Sequence, residues 1–369
     1  MTSLFSIEEI YPEEAGRPVR LPRRQTGNSP QGLAVTLLAD YTLRTRAWLP
    51  SAAIVALLAE SGVTPAGART AISRLARRGV LEGSRRGRHS SYRLAHAAAA
   101  SLAIGGHWIL TATATARPWD GQWTLVAFTL PQEHSAQRRA LRGQLRWLGF
   151  APLYDGLWIS PRTLPGPAMR HLAQLTPGTI SVFRGRQADL GATTGRDPLD
   201  AWDVEAIAGQ YGDFVDRWQA LLPQVRSGQV GGPAAVRART EVMDTFRRFP
   251  TLDPQLPVEL LPANWLRDPA REVFAAVYDG LADVAERHVR AVVTRFAGDA
   301  APDDVRAHTT GDLLAGVQPA GPGPGYNPGP GFSPAPGLGT DLGLGLGAGA
   351  GAGDQTTQAG SATRTVGRR

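Results

Sequence analysis

Cysteine is absent from this 369-residue chain. Disulfides, thiolate nucleophiles and cysteine-based metal sites are therefore excluded. Lysine is absent as well: all 39 basic residues are arginine, set against 32 acidic ones, for a net charge of +7. A basic balance of this kind suits a polyanionic partner better than it suits a free enzyme. The N-terminus shows no basic-then-apolar leader, so the expected location is cytoplasmic. Residues 94–116 carry no formal charge, and a bilayer span needs ~20 apolar residues. That stretch is mostly Ala and Thr and contains His96, Gly105, Gly106 and His107. Such a composition inserts poorly and reads as an Ala-rich linker helix, with no membrane partner expected. HExxH, GxSxG, P-loop and paired-carboxylate patterns are also missing. No catalytic residue, metal or cofactor is expected, and the chain reads as a non-enzyme.

Against these absences stands residues 64–94, TPAGARTAISRLARRGVLEGSRRGRHSSYRL. Thr64 is a good N-cap and Pro65 fits the first helical position, where a missing N–H costs nothing. Ala68, Ala71, Ile72 and Leu75 fall on one helical face, and Arg69, Thr70, Ser73, Arg74 and Arg77 on the others. Gly79 suits the C-terminal cap. A strand begins at Val80 and Leu81, Arg85-Arg86-Gly87-Arg88 makes a turn, and Tyr92 and Leu94 return. A helix followed by a hairpin with a positive tip is the pattern of a winged helix-turn-helix. Glu82 is the one acid among Arg69, Arg74, Arg77, Arg78, Arg85, Arg86, Arg88 and Arg93. Phosphate neutralisation supplies much of the affinity of protein–DNA binding. Thr70, Ser73, Arg74 and Arg77 are expected to face the groove and Arg69 to reach phosphate, with Arg85, Arg86 and Arg88 on the wing tip. Arg78 has a competing role at the last carbonyls of the helix. The bland alternative for all of them is a solvated arginine face.

The rest of the chain divides by composition and periodicity. Residues 1–30 form an extension, acidic at Glu8, Glu9, Glu13 and Glu14 and basic at Arg17, Arg20, Arg23 and Arg24; it reads as disordered. Within the DNA-binding domain (31–95), helices are expected at 33–41 and 52–60, the second capped by Ser51, with a short extended piece at 43–49. The linker takes 96–118. A middle domain, 119–190, alternates a strand (122–130), a helix (135–148), a hairpin at 153–160 turning on Asp155-Gly156, a helix (168–175) and a strand (179–186). That order is the ferredoxin-like βαββαβ arrangement. Residues 196–298 read as an all-α C-terminal domain, with helices at 199–222, 234–249 and 269–296 around an irregular 252–265. From residue 299 the chain becomes a Gly/Pro-rich disordered tail, expected to bury no core. The fold class is thus α+β and multidomain. Trp119, Trp123, Trp147, Trp158 and Trp202 read as core rather than as a ligand box.

Taken together, LLADYTL at 37–43, the arginine-rich block, WDGQWTLVAF at 119–128, LRGQLRWLGFAPLYDGLWISP at 141–161 and FRRFPTLDPQLPVELLPANW at 246–265 resemble the PaaX-like family. The resemblance runs from about residue 33 to 288, and the uncharged 94–116 stretch departs from the more charged linker usual there. It implies a homodimeric transcriptional regulator, usually a repressor, bound to a palindromic double-stranded operator. Release from DNA by an acyl-coenzyme A thioester, phenylacetyl-coenzyme A being the name-giving case, is implied too. Paired arginines suit phosphate, so Arg247 and Arg248 are the effector-binding candidates. Their competing reading is a helix end paired with acids such as Asp253 and Glu259. The alternative function is a metal-dependent nuclease: small ferredoxin-like domains also occur in a CRISPR adaptation nuclease family, which would give Asp120 and Asp155 a role.

Overall fold

The computed structural model describes residues 29–87, 89–112, 118–164, 166–175, 179–188, 197–297 and 305–321. The N-terminal extension to residue 28, Arg88 and the tail beyond 321 lie outside them, as do the side chains of Arg86 and Trp147.

Helix α1 (Pro30–Thr42) begins where the Gly32 amide donates to Ser29 Oγ at 3.1 Å, with Pro30 in the first turn. Residues 43–45 then turn rather than extend, Arg46 takes φ +51, and strand β1 is only Leu49–Pro50. Helix α2 (Ser51–Glu60) starts at Ser51 itself; the residue before it is Pro50, and no side chain caps it, so Ser51 is helical rather than a cap. Helix α3 (Pro65–Arg77) keeps the expected N-cap, with the Gly67 amide donating to Thr64 Oγ1 at 3.1 Å. Its C-cap is Arg78; Gly79 follows one position later at φ +72, in the left-handed region a residue without Cβ tolerates. Strands β2 (Leu81–Arg86) and β3 (His89–Leu94) pair antiparallel from Leu81↔Leu94 to Arg86↔His89, so Arg85 and Arg86, expected in the turn, belong to strand β2. Strand β1 joins the far side of β3, giving the order β1-β3-β2.

Helix α4 (His96–Ala112) is not a free linker. Ala98, Ala99, Ala103 and Leu110 are buried in the main core, because an Ala-rich face lets neighbouring backbones approach. Among the described residues no helix is long and apolar enough to cross a membrane.

Next come β4 (Trp123–Phe128), α5 (Ser135–Trp147), β5 (Ala151–Tyr154), β6 (Leu157–Ser160), α6 (Gly166–Leu175) and β7 (Ile180–Gly185). The strands form one antiparallel sheet in the order β5-β6-β4-β7. Period-two alternation gives the sheet two apolar faces. Val126, Phe128 and Trp158 pack with Leu141 and Leu145 of α5 and Leu172 of α6. On the other face Trp123, Leu153 and Ile159 pack with Trp119 and Trp202. Trp119 meets Trp123 edge-on at 5.2 Å and Trp123 stacks on Trp202 at 6.1 Å.

The helix expected at 199–222 is a short 3-10 turn followed by α7 (Val204–Gln219), whose Ala206 amide is capped by Asp203 at 3.0 Å, and α8 (Leu222–Arg226). Helix α9 (Gly232–Phe246) stops short of 249, and Pro250 sits in the first turn of α10 (Phe249–Leu252). The expected 269–296 helix is two, α11 (Arg267–Gly280) and α12 (Ala282–Ala297), broken at Leu281.

The tail assignment needs correction. Residues 305–321 are ordered, with α13 (Thr310–Ala315) opened by a Thr309–Asp312 capping box. Val305, Leu313 and Val317 are buried against the core. Composition hid this segment because three apolar side chains suffice once other elements supply the groove. The segments 31–95 and 196–298, expected as separate domains, share a single core as well. Leu38, Ile54, Leu75 and Leu94 belong to the same cluster as Tyr211, Phe246, Phe274 and Val289.

Candidate nucleic-acid interface

Helix α3 buries Ala68, Ala71, Ile72 and Leu75 and exposes Arg69, Thr70, Ser73, Arg74 and Arg77. Burying Ile72 and Leu75 contributes roughly 1.5–3 kcal/mol each. That contribution seats the helix and leaves its polar residues facing outward. The backbone then continues directly into the hairpin: the Val80 amide donates to the Leu75 carbonyl at 3.0 Å and the Ala95 amide to the Val80 carbonyl at 3.0 Å. Arg85 is exposed near the hairpin tip, its Nε donating to the Gly87 carbonyl at 3.3 Å. Arg86 ends β2, and Arg88 lies outside the described residues. Arg78 is exposed and donates to Gln31 Oε1 on α1 at 3.5 Å. Thr64→Ala should lower the unfolding free energy by about 1 kcal/mol; an unchanged urea midpoint would show that this cap contributes nothing.

The one acid of the motif does not neutralise the groove-facing arginines. Glu82 Oε1 accepts from Arg46 at 2.9 Å and Glu82 Oε2 from Arg93 Nε at 2.7 Å, both at the hairpin base. Arg93 also lies 4.5 Å over the Trp48 ring. Among the described residues no carboxylate pairs with Arg69, Arg74, Arg77 or Arg85. The unneutralised cations therefore line α3 and the hairpin tip, and the paired ones hold the base.

Arg46 was not visible from sequence. Its side chain is 1 % exposed, and its backbone holds a left-handed φ of +51. A non-glycine residue there costs on the order of 1 kcal/mol or more, and such strain persists only where surrounding contacts over-determine it. Here they do: Nε donates to the Leu94 carbonyl at 3.0 Å, and other nitrogens reach Glu82, Ala320 and Gly321. No local sequence signal announces an arginine whose partners lie dozens to hundreds of residues away.

Arg247 and Arg248, the effector candidates, are half-buried at the end of α9. They pair with Asp244 rather than with Asp253 or Glu259: Arg247 with Oδ1, and Arg248 with Oδ2 at 3.2 Å. Helical spacing of three and four explains the choice. Asp253 instead belongs to Arg267, at 2.6 and 2.9 Å, and also accepts from the Tyr211 hydroxyl at 2.8 Å. Glu259 accepts from the Trp119 amide at 3.2 Å.

The two aspartates of the nuclease alternative lie apart. Asp120 precedes β4 and pairs with Arg184, whose hydrogen bond holds the carboxyl below its usual range. Asp155 occupies the β5–β6 turn, where the Phe128 amide donates to the Gly156 carbonyl at 2.8 Å, at the other end of β4. A six-residue strand separates them, roughly 20 Å at ~3.3 Å per residue, too far to share one metal ion. Among the described residues no group of three or more His, Cys, Asp or Glu is placed to hold a metal.

Three family models match the chain in succession. They are described as PaaX-like protein (residues 29–98), PaaX protein central Cas2-like domain (116–195) and PaaX-like protein C-terminal domain (202–291). Residues before 29 and after 291 lie outside all three. A curated relative, the transcriptional repressor PaaX of Escherichia coli strain K12, is 29 % identical over 248 residues, 64 % of this chain and 75 % of that protein. A solved structure of an uncharacterized protein from Mycobacterium tuberculosis aligns with TM-score 0.43 and 22 % identity, covering 70 % of this chain and 96 % of the other.

Proposed function

The chain belongs to the PaaX-like family, and from that premise we propose that it is a DNA-binding transcriptional repressor acting in the cytoplasm. The observation that carries this reading is the division of charge described above. Arg69, Arg74, Arg77 and Arg85 are exposed and unpaired by any carboxylate among the described residues, whereas the only acid of the motif is consumed at the hairpin base. On this reading α1, α2, α3 and the β2–β3 hairpin form a winged helix-turn-helix. Helix α3 enters the major groove and the hairpin tip rests on the backbone beside it. The strand order β5-β6-β4-β7, antiparallel throughout, supports a ferredoxin-like reading of the middle domain.

The protein acts as a homodimer on a palindromic operator, its two recognition helices about one DNA turn, ~34 Å, apart. An acyl-coenzyme A thioester releases it. By linkage, ligand and DNA then weaken each other equally, and a near-complete switch requires a differential affinity on the order of 5 kcal/mol. Asp244 pairs with both Arg247 and Arg248, one carboxylate against two guanidiniums, so a coenzyme A phosphate binding there has to compete with that carboxylate for them.

Mobility shift on the duplex upstream of this protein's own gene, with scrambled competitor and a titration of phenylacetyl-coenzyme A and other thioesters, tests the reading. A specific shift released by one thioester is expected. Equal affinity for scrambled DNA would remove the sequence-reading role. Arg74→Ala should cost about 1–3 kcal/mol on the specific duplex and erode discrimination, whereas Arg85→Ala should weaken both duplexes alike and reduce the salt slope by about 1. Full retention of specific affinity in Arg74→Ala would sink the groove assignment.

A further inference from the structure

Residues 305–321 lie beyond the last family match and end at the base of the hairpin. They follow a continuous path. The Arg306 amide donates to the Tyr41 carbonyl at 2.9 Å and the His308 amide to the Asp40 carbonyl at 3.0 Å, which ties the segment to the end of α1. Asp312 pairs with Arg44 at 3.0 Å. Leu313 presses on α4 at Gly106, where a Cβ would stand 3.0 Å from Leu313 Cδ2, so any larger residue there pushes against the leucine. The Ala320 amide then donates to the Arg44 carbonyl at 2.7 Å, and the Ala320 carbonyl lies 3.2 Å from His96 Nδ1. At its end the segment supplies two carbonyl acceptors, Ala320 at 3.3 Å and Gly321 at 3.0 Å, to Arg46.

The same guanidinium holds both strands of the hairpin, β3 through the Leu94 carbonyl at 3.0 Å and β2 through Glu82 at 2.9 Å. Arg46 is therefore a buried joint with one arm on the 305–321 segment and two on the hairpin. A guanidinium presents its donors in a rigid planar fork, so fixing one edge fixes the direction of the other.

We propose that residues 305–321 are a strap that, through Arg46, positions the wing for its phosphate contacts, and that Arg46 is a positioning residue of DNA binding. The proposal rests on the DNA-binding reading above for its consequence, though not for the strap–hairpin coupling itself. With the strap seated, Arg46 satisfies Glu82 and the Leu94 carbonyl, and the tip arginines are held beside the groove that α3 enters. With the strap released, Arg46 loses two acceptors, the hairpin base loosens and the wing no longer contributes its share of phosphate contacts.

Two variants of the full chain release the strap from opposite sides without altering the DNA-facing surface: Leu313→Asp on the strap, and Gly106→Val, whose branched side chain occupies the place of Leu313. Leu313→Met keeps the contact and should behave as wild type. Amide hydrogen exchange without DNA comes first. Both releasing variants should lose protection over residues 305–317 and over the hairpin, 81–94, while amides of α3 keep theirs. Hairpin protection that stays at the wild-type level after strap protection is lost, or strap protection that survives both substitutions combined, overturns the proposal whether or not the protein binds DNA.

The second arm is a double-mutant cycle on the duplex across a salt series. Strap release should lower affinity roughly tenfold and flatten the salt slope. It should add little to Arg85→Ala, which removes the same wing contact, and should add fully to Arg74→Ala, which removes a groove contact. A general loss of structure would add to both. Full additivity with Arg85→Ala rejects the positioning role, and failure of the wild-type protein to bind duplex rejects the DNA reading while the exchange experiment still decides the strap.

Discussion

Arg267→Met should lower the unfolding free energy by about 3–5 kcal/mol, the usual consequence of leaving one member of a buried ion pair without its partner. The side chains of Arg267 and Asp253 are 4 % and 2 % exposed, and their bond is bidentate, at 2.6 and 2.9 Å. Asp253 also accepts from the Tyr211 hydroxyl and from the Gln255 amide at 2.6 Å, so every acceptor position on the carboxylate is in use. The substitution removes the only full positive charge in that set. Local geometry makes the site a junction as well. The residues after Asp253 reach the middle sheet, through Gln255 to Arg162, Glu259 to the Trp119 amide, and Leu260 against the face carrying Trp123. Urea unfolding of Arg267→Met, alone and combined with Asp253→Leu, is the check. The double variant should recover most of the loss, because two apolar side chains leave no buried charge behind. A single variant within about 1 kcal/mol of wild type would mean that the pair is not buried in solution.

The second large effect is a pH dependence centred on Asp40. This α1 carboxyl accepts from the Tyr278 hydroxyl of α11 at 2.8 Å and is only 4 % exposed. Burial pushes its pKa up from 3.8 to about 6, against the pull of Arg239, the Tyr278 hydrogen bond and Arg247. Burial likewise keeps His308, whose Nδ1 lies 3.0 Å from the Asp40 carbonyl, below its usual value. A carboxyl raised on folding stabilises the native state when protonated. That contribution is complete below 3.8, its unfolded value, and is lost as pH rises through about 6. The interval corresponds to roughly 3 kcal/mol. His308 acts in the opposite sense, losing its contribution as pH falls below the unfolded imidazole value. Comparison with Asp40→Asn isolates the carboxyl: wild-type stability relative to the variant should improve by roughly 2–3 kcal/mol from about pH 7.5 down to about pH 4. A difference that does not change with pH would show that Asp40 keeps an ordinary pKa.

Much of the candidate interface was legible because its determinants are local. Thr64, Pro65 and the Ala68–Ala71–Ile72–Leu75 spacing define α3 within one window, and the outward position of Arg69, Thr70, Ser73, Arg74 and Arg77 follows from that spacing alone. The Asp155-Gly156 turn fixes β5 and β6 in the same way. Boundaries that depend on neighbours were less legible. Ser51 read as a cap until Pro50 took the position before the helix, and the break at Leu281 is marked only by the lone Gly280 that ends α11, in the middle of an amphipathic run. The pairing of Arg247 and Arg248 fell to Asp244 because one helical turn brings it closer than any residue of the following loop.

The sequence by itself determined α3 and its arginine face, the hairpin that follows, the alternation of elements in the middle segment and the absence of any thiol chemistry. Each of these rests on residues within about one element of one another, where backbone geometry alone sets which side chains share a face. Only the tertiary structure decided that Glu82 is consumed at the hairpin base and that Asp40 and Asp253 are buried. It alone brought residues 305–321 back to Arg46 and joined the N-terminal helices to the C-terminal ones in one core. Those outcomes depend on pairs such as Arg46 with Gly321 and Asp40 with Tyr278, which lie far apart along the chain. No periodicity records such a pair, because burial and charge neutralisation are settled by whichever surfaces meet when the chain packs.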